Sequence, residues 1–266
     1  MSSENFTKGQ GAQRNEINRF EKYTFEPEED DFLKTKTTFT EVFPKTIVNE
    51  VKSPDIRMEY SVNPYQGCEH GCSYCFARPT HEFWGYSAGT DFERKIMVKK
   101  NAPDLLEKFF QKRNYVPKTI TLSGNTDCYQ PAERQFEITR KLLKLCLDYR
   151  HPVSILTKNA LVLRDLDILK PLAEQNLVSV SFSIPTINEE IRRKMEPRTS
   201  SVKNKLKAIE ILSEHQIPVG VMVAPVIPGL TSDESLTILK TVSEAGAQKF
   251  GYVLVRLNDT VEPVFI

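Results

Sequence analysis

The stretch Asn63-Pro-Tyr-Gln-Gly-Cys68-Glu-His-Gly-Cys72-Ser-Tyr-Cys75-Phe-Ala-Arg-Pro79 decides how the rest of the chain is read. Three cysteines stand in a C-x3-C-x2-C spacing. Gly67 and Gly71 flank the first two, and Tyr74 and Phe76 bracket the third. Thiolates bind soft metals and iron–sulfur clusters. Three thiolates this close can hold three irons of a cubane cluster and leave the fourth iron open to a ligand other than protein. A structural zinc site would need a fourth ligand, with His70 or His81 nearest, and the paired C-x2-C spacing of zinc modules is absent.

Outward from this loop the chain alternates between strand and helix. Met58–Val62 precedes the cysteines as an extended segment. A helix is expected over Pro103–Lys112, with Leu105, Leu106, Phe109 and Phe110 on its apolar face. Thr119–Ser123 is β-rich and stops at Gly124, and one helix is expected across Ala132–Tyr149. Val153–Thr157 is the next strand, followed by a helix over Ala160–Gln175 with Asn159 as its N-cap. Val178–Ile184, Val219–Val226 and Phe250–Leu257 complete the strands, and helices are expected at Asn188–Lys194, Val202–His215 and Asp233–Ala245. The continuous apolar run at Val219–Val226 suits a strand buried on both faces. Six strands separated by helices imply parallel βα units. Six units are too few for a closed eightfold barrel, and pattern alone leaves an open doubly wound sheet and a partial barrel both standing.

Chemistry in such folds gathers at the C-terminal ends of strands. The cysteines follow the first strand. Gly124-Asn-Thr126-Asp127-Cys128 follows the second and Lys158 the third. Ser183 ends the fourth, and the fifth ends in Ala224-Pro-Val-Ile-Pro-Gly229.

At Cys68, Cys72, Tyr74 and Cys75 the chain resembles the radical S-adenosylmethionine (SAM) enzymes. The longer string CEHGCSYCFARPTHEF is similar to a largely uncharacterised family related to spore photoproduct lyase. The resemblance covers residues 45 to 258. It implies an α/β fold of the partial (β/α)6 TIM-type barrel kind. It also implies a [4Fe-4S] cluster on Cys68, Cys72 and Cys75 whose open iron chelates SAM. An electron from the cluster would then yield a 5′-deoxyadenosyl radical, so an electron donor of flavodoxin or ferredoxin type is an expected partner. Thr126 and Asp127 stand in the segment that holds the SAM amino group in this superfamily. Lys158 is placed to meet the SAM carboxylate, Ser183 the ribose or carboxylate, and Ala224 the adenine through its backbone. Tyr74 and Phe76 would flank the bound SAM, and Arg198 would reach a substrate or SAM carboxylate. Spore photoproduct lyase carries a hydrogen-donating cysteine at the end of its second strand. Aligned on Thr126-Asp127, that position is Gly124 here, and Cys128, four residues later, is a candidate donor from the loop. Cys146 falls on an apolar helix face and is read as structural.

Composition sets outer bounds. The chain has 266 residues, a formal net charge of +1 and five cysteines. Residues 1–60 carry 9 basic and 12 acidic side chains, so no basic stripe argues for nucleic acid, although nucleic acid stays among the candidate substrates. No apolar run is long enough to span a membrane and the first residues lack a secretory h-region, so a cytoplasmic enzyme is expected. Residues 1–45 are read as a polar extension with an acidic run at 26–31. Phe20, Tyr23 and Phe25 make that extension a candidate docking arm. Residues 46–266 are read as the barrel. The apolar end Val264-Phe-Ile266, directly after the sixth strand, suggests that the natural chain continues. A lyase acting on thymine lesions in DNA and a non-catalytic metal or iron–sulfur protein are the rival readings of function.

Overall fold

Residues 7–16, 18, 20, 36–52, 58–258 and 260–265 are described in a computed structural model of the chain. Among the described residues ten strands form two sheets. The strands are β1 Thr38–Val42, β2 Val48–Glu50, β3 Tyr60–Val62, β4 Tyr65–Gln66, β5 Lys95–Lys99, β6 Ile120–Leu122, β7 Val153–Thr157, β8 Val178–Ser183, β9 Val219–Val226 and β10 Lys249–Leu254. The main sheet runs in the order β10-β9-β8-β7-β6-β3-β2. Six of its strands are mutually parallel, and β2 pairs antiparallel with β3 at one edge. Edge strands β2 and β10 do not pair with each other, so the sheet is an open partial (β/α)6 barrel.

Helices cover the outer face. They are α1 Thr90–Arg94, α2 Ala102–Phe110, α3 Glu133–Phe136, α4 Ile138–Asp148, α5 Leu166–Glu174, α6 Glu189–Met195, α7 Val202–Glu214, α8 Ser235–Glu244 and α9 Glu262–Phe265. Leu106, Leu142, Leu143, Cys146, Ile168, Leu169, Leu172, Ile209, Leu212, Ile238 and Val242 pack against strand residues Ile120, Leu122, Ile155, Val180, Val221 and Val223 in one continuous core. At about 25 cal/mol per Å² of apolar surface, this cluster supplies the main stabilisation of the sheet. Cys146 sits in that core with no exposed surface, as its place on an apolar helix face implies.

Three expectations need correction. The helix expected over Ala132–Tyr149 is two helices. Glu137 adopts a left-handed φ of 50°, and the Glu133 carboxylate accepts the amide protons of Thr139 (3.0 Å) and Arg140 (3.2 Å), which starts α4 afresh. The segment Ala160–Gln175 opens with a 3-10 turn, Ala160–Asp165, before α5; the Asn159 side chain does cap it, accepting from Leu161 N. The third concerns the expected polar extension. Thr38–Val42 is a strand, paired parallel with Lys95–Lys99, and β5 in turn pairs antiparallel with β4. This second sheet, β1-β5-β4, lies next to the cysteine loop in sequence and brackets it. Tyr23, Phe25 and the acidic run 26–31 lie outside the described residues.

Candidate functional site

The cysteine loop leaves β4 at Gln66 and turns through Gly67 (φ 78°) and Gly71 (φ 66°), a backbone region that favours glycine. Cys68 and Cys72 are buried and Cys75 is half-buried, and all three thiols are free. Cys68 N donates to Phe92 O at 2.8 Å, and Cys75 N donates to Cys72 O at 3.3 Å. Cys68 packs with Ala77 and Phe92. Cys72 and Tyr74 pack with Met195 and Ile227, and with Val255, Leu257 and Phe265 from the end of the chain. Burial and then Glu196 push the Cys72 thiol well up. Burial and then Cys68 raise that of Cys75. Metal binding would therefore displace protons here. Among the described residues no three His, Cys, Asp or Glu side chains converge as a single metal ion requires. A cluster differs, because each thiolate takes its own iron. The donor set therefore fits a cluster held by Cys68, Cys72 and Cys75.

Beside Cys72 lies a buried charged network. Lys158, at the end of β7, places Nζ 2.8 Å from Glu196 Oε1. The same ammonium donates to Ser183 Oγ at 2.6 Å and to Tyr74 Oη at 3.0 Å. Lys205, on α7, reaches Glu196 Oε2 at 3.1 Å and donates to Ser183 O at 3.1 Å. The Tyr74 hydroxyl donates to Glu196. Ser183 Oγ donates onward to Ala224 O at 2.9 Å. Burial opposes the Glu196 charge, but Lys158 and Lys205 outweigh it and hold the carboxyl well below its usual range. Burial likewise opposes the Lys158 ammonium, and Glu196 and Cys72 outweigh it to raise the group. Lys205 is the exception: burial wins and its ammonium is lowered, with Glu196 only partly compensating. One carboxylate thus serves two ammonium groups in a site nearly closed to water, which leaves an excess of positive charge that an anion would complete.

Asp127 organises this network from behind. Its Oδ2 accepts from Lys158 N at 2.7 Å; its Oδ1 accepts from Thr157 Oγ1 and Tyr129 N, each at 2.8 Å. His70 Nδ1 stands 3.3 Å from Oδ2. Burial works against both charges, yet the pairing prevails: Asp127 is lowered, and His70, facing Asp127 and Cys68, is raised to about 9. Thr126 spends its hydroxyl on Tyr65 O at 2.8 Å, and the amides of Asn125 and Thr126 donate to Asn63 Oδ1 at 2.9 and 3.3 Å. These bonds tie the loop after β6 to the loop after β3.

The structure therefore brings Tyr74, Lys158, Ser183 and Ala224 together beside Cys72, and places Thr126 and Asp127 as their support. Phe76 is largely exposed, 57%, on the outer side of the loop. Arg198 is held elsewhere than expected: its Nη2 lies 3.3 Å from Glu93 Oε2, and its amide donates to His70 O at 3.3 Å. Cys128 has no exposed surface and packs in the apolar core, where burial pushes its thiol well up. Its placement in the core, rather than in the network around Lys158, corrects the expectation that it reaches the site from the loop. Gly124 holds φ at 122°, a conformation that a side chain would strain. Glu196 and Lys205 escaped the sequence reading. In the sequence Glu196 reads as an ordinary charged residue before Pro197 and Lys205 as a solvated helix residue; the one available signal is that Lys205 shares a face of α7 with Ala208, Ile209 and Leu212.

An open parallel βα sheet, with a three-cysteine loop following its first parallel strand and a buried lysine at the end of its third, defines a partial-barrel protein with three free thiols beside a buried charged network. The family comparison is more specific. Residues 62–242 match the model of the radical SAM superfamily, and the chain belongs to it. An uncharacterised protein of Methanocaldococcus jannaschii is 31% identical over 202 residues, 76% of this chain and 73% of that protein. An uncharacterised protein of Mycobacterium tuberculosis is 37% identical over 213 residues, 79% of this chain. The chain spans 63% of the length of that mycobacterial relative. Among solved structures, a spore photoproduct lyase variant with bound AdoMet and dinucleoside spore photoproduct superposes with a TM-score of 0.63 at 17% identity, covering 85% of this chain and 65% of that one. Streptococcus suis SuiB bound to S-adenosylmethionine gives a TM-score of 0.55 at 13% identity, covering 75% of this chain and 41% of that one. Both likenesses concern the fold. No helix among the described residues is long and apolar enough to cross a membrane.

Proposed function

We propose that this chain is a radical SAM enzyme that cleaves SAM reductively and abstracts hydrogen from a substrate. A [4Fe-4S] cluster on Cys68, Cys72 and Cys75 would, when bound, supply the open iron for SAM and the electron that gives methionine and a 5′-deoxyadenosyl radical. The observation that carries the reading is the Lys158–Glu196–Lys205 network beside Cys72, with two ammonium groups on one buried carboxylate. Lys158 takes the SAM carboxylate through charge-assisted hydrogen bonds. Ser183 shares that contact or meets the ribose, and the strand end at Ala224 offers backbone groups to the adenine. Tyr74 is fixed by Glu196 and Lys158 and gives one wall of the pocket. Thr126 and Asp127 hold these groups in register, and the apolar contacts around Cys72 exclude water. The reductant is a flavodoxin- or ferredoxin-type donor, and the compartment is the cytoplasm.

Gly124 argues against thymine-lesion repair by the hydrogen-donor route of spore photoproduct lyase. The position aligned with that enzyme's donor cysteine has no side chain, and its backbone is in a glycine conformation. The thiol nearest in sequence, Cys128, is packed in the core. The test is anaerobic reconstitution with iron and sulfide, followed by dithionite and SAM. Formation of 5′-deoxyadenosine well above a Cys75→Ala background is expected. Yields equal to that background, or zinc bound without iron, would overturn the proposal.

A further inference from the structure

Residues 7–16 and 18, expected as part of a polar extension, are docked on the cysteine loop and its flank. Gly11 N and Ala12 N donate to Glu93 Oε2 and Oε1 at 3.2 and 2.7 Å. Glu93 is fully buried, and its Oε1 also accepts from Arg78 Nη2 at 2.6 Å. Arg78, equally buried, spends Nε and Nη2 on Cys72 O at 3.0 and 2.9 Å, and Nη1 on the carbonyls of Ala88 and Gly89 at 3.1 and 3.0 Å. A continuous path thus runs from the amides of residues 11 and 12 through Glu93 and Arg78 to the backbone of Cys72. Arg198 adds a second cation to Glu93, so the carboxylate is saturated.

A second set of contacts runs alongside. Asn15 Oδ1 accepts from Thr90 Oγ1 at 2.7 Å and from Asp91 N at 2.9 Å, which caps the first turn of α1. Asn15 Nδ2 donates to Asp91 Oδ1 at 3.1 Å, and Thr90 N donates to Arg14 O at 3.2 Å. Asn18 Nδ2 donates to Glu82 O and Tyr86 O, each at 3.2 Å, and Ser87 Oγ donates to Glu16 O at 2.7 Å. Backbone meets backbone at two glycines. A Cβ on Gly11 would lie 1.8 Å from Gly71 O, and one on Gly89 would lie 2.2 Å from Arg14 O. Beyond bonds among themselves and one from Phe20 N to Asn18 Oδ1, the hydrogen bonds described for residues 7–16 and 18 run to residues 82–93. None goes to the main sheet. The segment therefore acts on the cysteine loop and its flank.

We propose that residues 10–16 form a strap that holds the cysteine loop in its metal-binding geometry before iron arrives, with Glu93 as the positioning carboxylate that carries the restraint to Cys72. The physical reason is preorganisation: three thiols on a loop with two left-handed glycines would otherwise sample many arrangements, at an entropic cost to cluster binding. The inference rests on the reading of Cys68, Cys72 and Cys75 as cluster ligands, and its test separates the two.

Full-length Gly11→Val forces a side chain into Gly71 O. Asn15→Ala removes three hydrogen bonds without steric load and serves if the first variant folds poorly. Lys8→Ala, at an exposed position, is the control. In the metal-free chain, iodoacetamide labelling followed by mass spectrometry is expected to show Cys72 and Cys75 reacting about tenfold faster in both strap variants, with buried Cys146 unchanged; tenfold corresponds to losing roughly one hydrogen bond's worth of local stability. After anaerobic reconstitution, the variants should release iron to a chelator about tenfold faster, and the EPR signal of the reduced cluster should shift. Wild-type labelling rates and an unchanged EPR signal in both variants would overturn the strap. So would Cys146 labelling that rises in step with Cys72, because the effect would then be global loosening. If the wild-type chain takes up no iron, the cluster reading fails, while the labelling experiment still decides the strap.

Discussion

Replacing Glu196 with Gln keeps the shape of the buried network and removes the negative charge that Lys158 and Lys205 share. Glu196 is fully buried and accepts from Lys158 Nζ at 2.8 Å, from Lys205 Nζ at 3.1 Å and from the Tyr74 hydroxyl. In the variant two ammonium groups face a neutral amide. Breaking a buried ion pair by removing one partner costs about 3–5 kcal/mol, because the remaining charge is stranded. The Lys158 side chain keeps 19% of its surface in contact with water, which allows some hydration and favours the lower end, about 3 kcal/mol. Urea unfolding of the metal-free protein at pH 7 should register this as a lower midpoint, and heating as a fall of about 6–12 °C in Tm. The pH dependence follows from the sign of the shifts. Burial already lowers the Lys205 ammonium in the wild type; losing Glu196 lowers it further and removes from Lys158 the partner that chiefly offsets its burial. The unfolded chain, with lysines near about 10.4, then binds more protons than the folded one, so the variant gains stability as pH rises toward that value and the gap to wild type narrows. Adding Lys205→Met removes one stranded cation and should restore about half of the loss. A loss under about 1 kcal/mol, a gap independent of pH, or no recovery in the double variant would refute the account of the network.

Lys158→Ala should weaken SAM binding to the reconstituted protein by about 10- to 100-fold, the value of one charge-assisted bond, with iron per chain unchanged; isothermal titration calorimetry reads the affinity and elemental analysis the iron, and an unaltered Kd removes Lys158 from the SAM site. Asp127→Asn should cost about 2–4 kcal/mol at pH 7, since three donors lose a charged acceptor. The Asp127 carboxyl is lowered in the fold, so its stabilisation is full above about pH 3.9 and fades as pH falls through the depressed value; the Asn variant should lose that acid limb, and equal acid sensitivity in urea titrations would speak against it. Gly124→Cys should lower thermal stability by about 1–3 kcal/mol because the backbone sits at φ 122°, and a neutral outcome would show that the turn relaxes readily.

Much of the architecture is written locally in the chain. Val153–Thr157 and Val219–Val226 were legible as strands to the residue, because a buried strand needs a continuous or alternating apolar run and little else. Asn159 was legible as a cap because capping involves neighbours two residues apart. The cysteine spacing, and the polar residues that end each strand, located one edge of the sheet as the reactive edge before any contact was known. The side chains of Lys158 and Ser183, each named from its position at a strand end, do meet there, together with Tyr74 from the cysteine loop.

What the sequence could not display is what distant segments do to one another. Thr38–Val42 becomes a strand only by pairing with Lys95–Lys99, more than fifty residues away, and its own burial is slight. Cys128 and Arg198 carry reactive or charged groups, yet packing assigns one to the core and the other to Glu93. Glu196 and Lys205 look like ordinary surface residues of a charged helical region until α6 and α7 fold them against β8 and the cysteine loop. Burial turns such groups from solvated charges into a strongly coupled network, and burial is a property of the tertiary arrangement alone. The cysteine spacing by itself therefore pointed to a metal with an open coordination position. The fold decided which charges lie beside the cysteine loop, and which segment, residues 10–16, packs against it.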